Sequence, residues 1–156
     1  MKKLILLDSH ALLHRSYHAL PPLVSEKGIL VNGVYGFLLV FLKIIRELKP
    51  DYLAATFDLK GPTFRHLEYK EYKAKRVKVP DNFYEQVEIV KRFLNAFGVL
   101  ILEKEGYEAD DIIATIVEKF KDEDLEIIIL TGDLDTLQLV NDKVSVYTFG
   151  KGIKDQ

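Results

Sequence analysis

The feature that most constrains the fold is an alternation of short apolar runs with longer segments of helical periodicity. The apolar runs predict buried β-strands at residues 3–7, 52–57, 99–102, 126–130 and 144–149. The segments between them predict helices at residues 10–20, 33–48, 81–97 and 108–120, with a short helix after residue 135. Strands alternating with helices form a parallel sheet that is covered on both faces. We therefore predict an α/β fold: a three-layer α/β/α domain around a mostly parallel five-stranded sheet.

Length and composition are those of an ordinary globular domain. The 156 residues suit one domain, and the hydrophobic fraction of 48% excludes a disordered chain. No apolar run is long enough to span a membrane, and Asp8 interrupts the apolar start too early for a signal peptide, so we expect a cytoplasmic protein. The absence of cysteine excludes disulfides, zinc–thiolate sites and cysteine nucleophiles. Residues 23–32 are expected to form a loop or small hairpin that turns at 26–28.

Acidic residues follow four of the predicted strands. Asp8 follows the first strand and Asp58 follows the second. The acids after the third and fourth strands are Glu108, Asp110, Asp111, Asp133 and Asp135. Because the carboxyl ends of parallel strands lie at one edge of a sheet, we expect all seven side chains to meet there.

Seven clustered carboxylates would repel one another, and hard divalent cations remove that repulsion. Oxygen ligands without His or Cys favour Mg²⁺ or Mn²⁺. Each acid also has a structural explanation when taken alone. Asp58 can precede a turn, the acids at 108–111 suit a helix N-terminus, and Asp135 can cap a helix. Their coincidence at four strand ends favours a metal site.

Other phosphate chemistries fit the sequence less well. There is no Walker A motif, and an aspartyl-phosphate phosphatase would have a second Asp where this chain has His10. A phosphoacceptor receiver domain also gathers acids at strand ends, but it does not account for the basic segment described next. We expect the four histidines, His10, His14, His18 and His66, to be surface or core residues that do not cluster with the acids.

A basic segment separates the second strand from the following helix. Its cations are Lys60, Arg65, Lys70, Lys73, Lys75, Arg76 and Lys78, against two glutamates, and Phe64, Tyr69 and Tyr72 lie among them. Positive charge mixed with aromatic rings is typical of surfaces that bind nucleic acid, although a solvated basic face is the alternative. Without the seven clustered acids, the net charge of −2 becomes +5. An acidic pocket beside a basic surface favours a metal-dependent enzyme that acts on a polyanion, most simply a nuclease.

The same residues resemble a known family, the amino-terminal 5′–3′ exonuclease domain of bacterial DNA polymerase I. This family is related to phage 5′-exonucleases and flap endonucleases. The resembling stretches are residues 6–10, 15–19, 57–65, 72–76, 106–111 and 131–135, in the family's order. The Glu-Ala-Asp-Asp motif at 108–111 and the Thr-Gly-Asp-x-Asp motif at 131–135 are the specific ones.

The resemblance implies a PIN-like, resolvase-like domain with a basic helical-arch insertion above the active site. It implies that the seven acids hold or support two metal ions, and that the reaction is phosphodiester hydrolysis at a DNA 5′ end or flap junction. By the same match, Lys73 and Arg76 steady the reacting phosphate, while Arg15 and Tyr72 contact DNA. Arg65 and Lys75, from the same basic segment, are further candidates for DNA contact.

In this family a helix-hairpin-helix DNA-binding region follows, and it carries two further metal-binding aspartates. These 156 residues lack that region, so we expect an incomplete second metal site and a longer parent polypeptide that also carries a polymerase. Two alternatives to an active 5′ nuclease stay open. One is a PIN-type ribonuclease, and the other is a catalytically silent module that binds metal or nucleic acid.

Overall fold

Five parallel strands form the centre of the fold in the computed structural model, which describes residues 1–74 and 78–148. The strands are β1 (Lys2–Asp8), β2 (Tyr52–Thr56), β3 (Leu100–Leu102), β4 (Leu125–Leu130) and β5 (Val144–Tyr147). Their order across the sheet is β3-β2-β1-β4-β5. Every neighbouring pair is parallel. The predicted parallel five-stranded sheet is confirmed, with β1 at its middle.

The helices lie on both faces of this sheet, as a three-layer fold requires. They are α1 (Ser9–Ala19), α2 (Asn32–Leu48), α3 (Phe64–Glu68), α4 (Asp81–Ala96) and α5 (Ala109–Lys119), with a 3₁₀ helix at Leu134–Leu139. Among the described residues, none of these helices combines the length and apolarity needed to cross a bilayer.

Alternation along β1 divides the core into two parts. Ile5 and Leu7 point to one face, where they pack with residues of α1, α2 and α4 such as Phe37 and Phe83. Leu6 points to the other face and packs with α5. Side chains of β1 are almost fully buried on both faces, which explains its near-continuous apolar sequence.

Three local details differ from the sequence prediction or refine it. The basic segment contains the five-residue α3, where Thr63 and His66 form a capping box. The 3₁₀ helix begins at Leu134 and is capped by Asp133, so Asp135 does not cap a helix that starts after it. The predicted hairpin is a single bridge between Val24 and Leu30, closed by the expected turn. The end of the predicted fifth strand, at residue 149, lies outside the described residues.

Candidate active site

A cleft of about 930 Å³ opens at the carboxyl edge of the sheet, and acids from four strand ends line it. We call it the carboxyl-edge cleft. Its five carboxylates belong to Asp8, Asp58, Glu108, Asp110 and Asp133. Asp8 ends β1, Asp58 follows β2 and Asp133 follows β4, while Glu108 and Asp110 lie at the start of α5, after β3. The parallel topology thus places five of the seven predicted acids around one space.

Asp8 is the most buried of these acids. It caps α1, where its Oδ1 accepts the Ala11 N–H at 3.3 Å, and its Oδ2 accepts the Thr131 hydroxyl at 2.6 Å. Burial raises the pKa of Asp8 to about 6, against the lowering effect of these hydrogen bonds, and the charges of Asp58 and Asp133 raise it further. Burial, with a smaller contribution from the neighbouring acids, therefore disfavours the charged form of Asp8, and a bound cation would offset that cost.

Asp58 and Asp110 meet at the start of α5. Asp58 Oδ1 accepts the Ala109 N–H at 2.7 Å. Asp110 Oδ1 is buried and has no hydrogen-bond partner among the residues that the structure describes. Burial raises the pKa of Asp110, as do the charges of Asp111 and Glu108. A buried carboxylate oxygen without a donor is the position at which a metal ligand is expected.

Glu108 is held by cations of the basic segment. Its Oε1 accepts Lys73 Nζ at 2.7 Å, and its Oε2 accepts the Tyr72 hydroxyl at 3.1 Å and Arg65 Nη1 at 3.5 Å. Lys73 adopts a positive φ of 54°, a backbone conformation that costs energy for a non-glycine residue. The contact with Glu108 helps to hold that conformation.

Asp111 lies outside the cleft lining and forms a bidentate ion pair with Arg65, at 2.8 and 2.6 Å. It also accepts the N–H of Glu108 at 2.9 Å. The hydrogen bond from Arg65 lowers the pKa of Asp111. Asp135 is exposed and also lies outside the cleft lining. Two of the seven predicted metal ligands are therefore set apart from the other five.

The structure also locates the predicted cations. Arg15 and Lys73 line the cleft, joined there by Lys78, whereas Arg65 and Tyr72 contact its acids from outside the lining. Lys75 and Arg76 lie outside the described residues, so the predicted role of Arg76 stays a prediction.

Three histidines belong to this cleft, and the sequence interpretation missed them. His10, His14 and His18 line it from one face of α1, although no group of three or more acidic and histidine side chains in the described parts of the chain is arranged to hold one metal ion. His66 lies apart, bonded to Thr63. The available signal was their spacing of four residues directly after Asp8, which places them on one side of a helix that starts at the acidic edge.

The donor set suits a hard divalent ion. Within residues 1–74 and 78–148, no three acidic, histidine or cysteine side chains are arranged to hold one metal ion together. The five carboxylates surround the cleft without closing a cage, and Lys73 is bonded to one of them, Glu108. Their oxygen-only chemistry and the unpartnered Asp110 Oδ1 nevertheless fit Mg²⁺ or Mn²⁺.

Solved structures share this fold. The T5 D15 protein co-crystallised with metal ions aligns with a TM-score of 0.74 at 21% identity, over 95% of this chain and 55% of that one. The catalytic core of Rad2 in complex with a DNA substrate aligns with a TM-score of 0.58 at 15% identity, over 98% and 45%. At these identities the likeness concerns the fold alone, and it confirms the predicted α/β architecture.

Curated relatives found by sequence are more similar to this chain than these solved structures are. The DNA polymerase I of Caldicellulosiruptor bescii is 46% identical over 92% of this chain, and that of Bacillus subtilis is 40% identical over 99%. A 5′-3′ exonuclease of Aquifex aeolicus is 41% identical over 94%. The chain spans 17% and 18% of the two polymerases and half of the exonuclease.

The family comparison covers nearly the whole sequence. Residues 3–156 match the model of the 5′-3′ exonuclease N-terminal resolvase-like domain. The match includes all the strands that bring the acids together and the segment that supplies Arg65 and Lys73. The chain therefore belongs to the family of 5′-3′ exonuclease N-terminal, resolvase-like domains.

Proposed function

We propose that this chain is the catalytic domain of a metal-dependent 5′ nuclease, which hydrolyses phosphodiester bonds at DNA 5′ ends or flap junctions, as in primer removal. The observation that carries the proposal is the carboxyl-edge cleft, where five carboxylates from four strand ends lie beside Arg15, Lys73 and Lys78. Carboxylates can hold divalent ions, and the adjacent cations can hold the phosphodiester chain. The relative named 5′-3′ exonuclease supports the same activity.

The five cleft acids, Asp8, Asp58, Glu108, Asp110 and Asp133, are the residues that would hold Mg²⁺ or Mn²⁺. When bound, the ions supply Lewis acidity toward the attacking water and the phosphate oxygens. Asp8 orders this site by capping α1, and Asp58 does so by accepting a backbone N–H of α5. Asp111 acts through another residue, since it fixes Arg65 against Glu108.

In this proposal the basic segment contacts both Glu108 and the substrate. Lys73 and Tyr72 contact Glu108 in the structure; in this proposal Lys73 also steadies the substrate phosphate, and Tyr72 contacts the DNA. Arg76 joins Lys73 in steadying the reacting phosphate. Arg15 and Lys75 complete the DNA contacts, together with Arg65 where its ion pair leaves N–H groups available.

The two related polymerases are several times longer than this chain. The proposal therefore concerns the catalytic domain, residues 1–156, and predicts a polymerase on the same polypeptide as its partner. On that longer polypeptide, a helix-hairpin-helix region would supply the rest of the DNA contacts and the remaining metal ligands.

The test is cleavage of end-labelled DNA by the 156-residue chain, with a 5′ flap, a blunt duplex and a single-stranded RNA as substrates. We expect products with Mg²⁺ or Mn²⁺, none with EDTA, and more products from the flap than from the RNA. Asp58→Asn should abolish cleavage while keeping the oxygen that accepts the Ala109 N–H.

The matched control is Asp142→Asn, which neutralises an exposed acid outside the cleft lining and should leave cleavage unchanged. Cleavage of every substrate in EDTA, or equal cleavage by Asp58→Asn and the unaltered chain, would contradict the proposal. Preferential cleavage of the RNA would favour the ribonuclease alternative.

A further inference from the structure

Two histidines of α1 lie one helical turn apart on the wall of the carboxyl-edge cleft. His14 and His18 are both exposed, and their Nε2 atoms are 3.2 Å apart. The ring centroids are farther apart, at 4.4 Å, so the two rings turn their nitrogen-bearing edges toward each other. The pair thus offers two nitrogen donors at a short, defined separation.

This separation matches the one that a single metal ion imposes on two ligands. A tetrahedral zinc ion with Zn–N bonds of about 2.05 Å holds two of its nitrogens about 3.3 Å apart. Octahedral geometry with bonds of the same length would bring adjacent nitrogens to about 2.9 Å. The observed 3.2 Å is closer to the tetrahedral value.

Aromatic neighbours hold both rings in place. The His14 ring packs edge-on against Phe83, with centroids 5.7 Å apart, and the His18 ring packs against Tyr17 at 5.1 Å. Phe83 is fully buried, and the Tyr17 hydroxyl donates to Asn82 Oδ1 at 2.8 Å. These supports come largely from α4, and they reduce the conformational entropy that the two imidazoles lose when they bind an ion.

The charge of the surroundings favours a cation. Among the described residues, five carboxylates and the three cations Arg15, Lys73 and Lys78 line the same cleft. Imidazole nitrogen suits zinc and similar ions, whereas the carboxylate oxygens suit Mg²⁺. The imidazole pair therefore favours a zinc-class ion over Mg²⁺ more strongly than the carboxylates do.

We propose that His14 and His18 form a bidentate site for a divalent transition-metal ion of the zinc class, separate from the carboxylates. In the described parts of the chain no third acidic or histidine side chain joins them. The pair lines the cleft, so a phosphate oxygen of a bound polyanion could add a further ligand to an ion held there. The site does not depend on the proposed nuclease activity.

The test is calorimetric titration of zinc chloride into the 156-residue chain, in buffer that contains millimolar Mg²⁺ to occupy the carboxylates. We expect one zinc ion per chain. His14→Gln and His18→Gln should each weaken zinc binding about tenfold or more, because each leaves a single imidazole and removes the chelate. Both side chains are exposed, so both variants should keep the circular dichroism of the folded chain.

The matched control is His66→Gln, which removes a histidine outside the cleft. Glutamine at this third position of α3 can keep the capping box with Thr63, and zinc binding should be unchanged. Visible absorption of bound Co²⁺ provides a second measurement, since a tetrahedral site absorbs strongly and both α1 variants should lose that band. Zinc binding of equal strength in both α1 variants would overturn the proposal, as would no zinc binding by the unaltered chain.

Discussion

The two ends of the central sheet carry hollows of similar size and opposite character. The carboxyl-edge cleft has about 930 Å³ and is lined by five carboxylates and three cations. The other hollow, which we call the amino-edge cavity, has about 700 Å³ and lies beside Lys2, Tyr52, Leu100 and Leu125, the first residues of four strands. Its wall is mainly apolar. The same strands border both hollows, so strand composition alone does not explain the contrast.

The contrast follows from where the helices begin. Asp8 caps α1, Asp133 caps the 3₁₀ helix, and Glu108 occupies the N-cap of α5. Each helix start offers backbone N–H groups without partners and a positive dipole end, which stabilise carboxylates. At the amino edge Asp51 accepts the backbone N–H of Lys3 at 2.8 Å, and Lys3 Nζ lies 3.9 Å from Glu126 Oε2. The helix starts thus gather five described carboxylates around the carboxyl-edge cleft, whereas Asp51, Glu123 and Asp124 border a mainly apolar cavity at the amino edge.

The largest effect is expected at Asp110, where a substitution should lower the activity without lowering the stability. Asp110→Asn should lower metal-dependent cleavage at least about a hundredfold, as expected when a group that stabilises the transition state is lost. It should leave the free energy of unfolding in EDTA unchanged or higher, because burial and the neighbouring acids disfavour the charge of Asp110. Parallel cleavage and urea-unfolding measurements check this. A variant that loses activity only because it unfolds would contradict the assignment.

The pH dependence of the free energy of unfolding tests the raised pKa of Asp8. Its pKa is raised from 3.8 to about 6 in the folded chain, so the folded state binds the proton more tightly than the unfolded state. In EDTA this contribution to stability is present below about pH 4 and is lost as pH rises to about 6. A shift of this size corresponds to about 3 kcal/mol.

The measurement is urea unfolding of the unaltered chain and of Asp8→Asn across this pH window, in EDTA. Asparagine cannot lose a proton, so the stability difference between the two proteins should change in favour of Asp8→Asn as pH rises. A difference that does not vary with pH would show that Asp8 has an ordinary pKa.

The ion pair between Arg65 and Asp111 should contribute to stability at the carboxyl edge. Replacing Arg65 by methionine leaves Asp111 and Glu108 without their guanidinium partner, at side-chain exposures of 20% and 10%. We expect a loss of about 1–3 kcal/mol. Lys121→Met, which breaks an exposed ion pair with Glu118 near the amino edge, should give no measurable loss.

Urea unfolding of both variants checks this comparison, and a double-mutant cycle with Asp111→Asn measures the coupling between Arg65 and Asp111. Additive effects in the cycle would mean that the bidentate contact adds nothing to stability.

The smallest effect is expected in the amino-edge cavity. Leu100→Thr changes an exposed side chain in an edge strand while keeping β propensity. Stability should change by less than about 0.5 kcal/mol, and cleavage should not change. Unfolding and cleavage assays check both. A clear loss of cleavage would show that the two hollows are coupled across the sheet, and the comparison would have to be abandoned.

Much of the fold could be predicted because its signals are local. The apolar run at β1 and the helical periodicity of α2 and α4 depend on neighbouring residues alone, and all three elements are confirmed. Parallel topology then follows from their alternation, and with it the edge at which Asp8 and Asp58 meet. Family membership, predicted from the motifs at 108–111 and 131–135, is confirmed as well.

The pairing of charges could not be predicted in the same way. Arg65 lies 46 residues from Asp111, and Lys73 lies 35 residues from Glu108. The sequence assigned these cations to DNA and these acids to metal, since nothing local indicates that they contact one another. The spacing of His14 and His18 indicates that they share one side of α1, but the position of their rings in the cleft also depends on packing against Phe83 from α4.

The sequence by itself therefore determined the order of the strands and helices, the single edge that gathers the acids, and the family. These follow from hydrophobic periodicity, chain connectivity and local motifs. Only the tertiary structure decided which carboxylates face the cleft, which are held by cations, and that a pair of imidazoles joins them. Those outcomes depend on contacts between side chains far apart in sequence, where a small rotation of a helix or loop changes the partner.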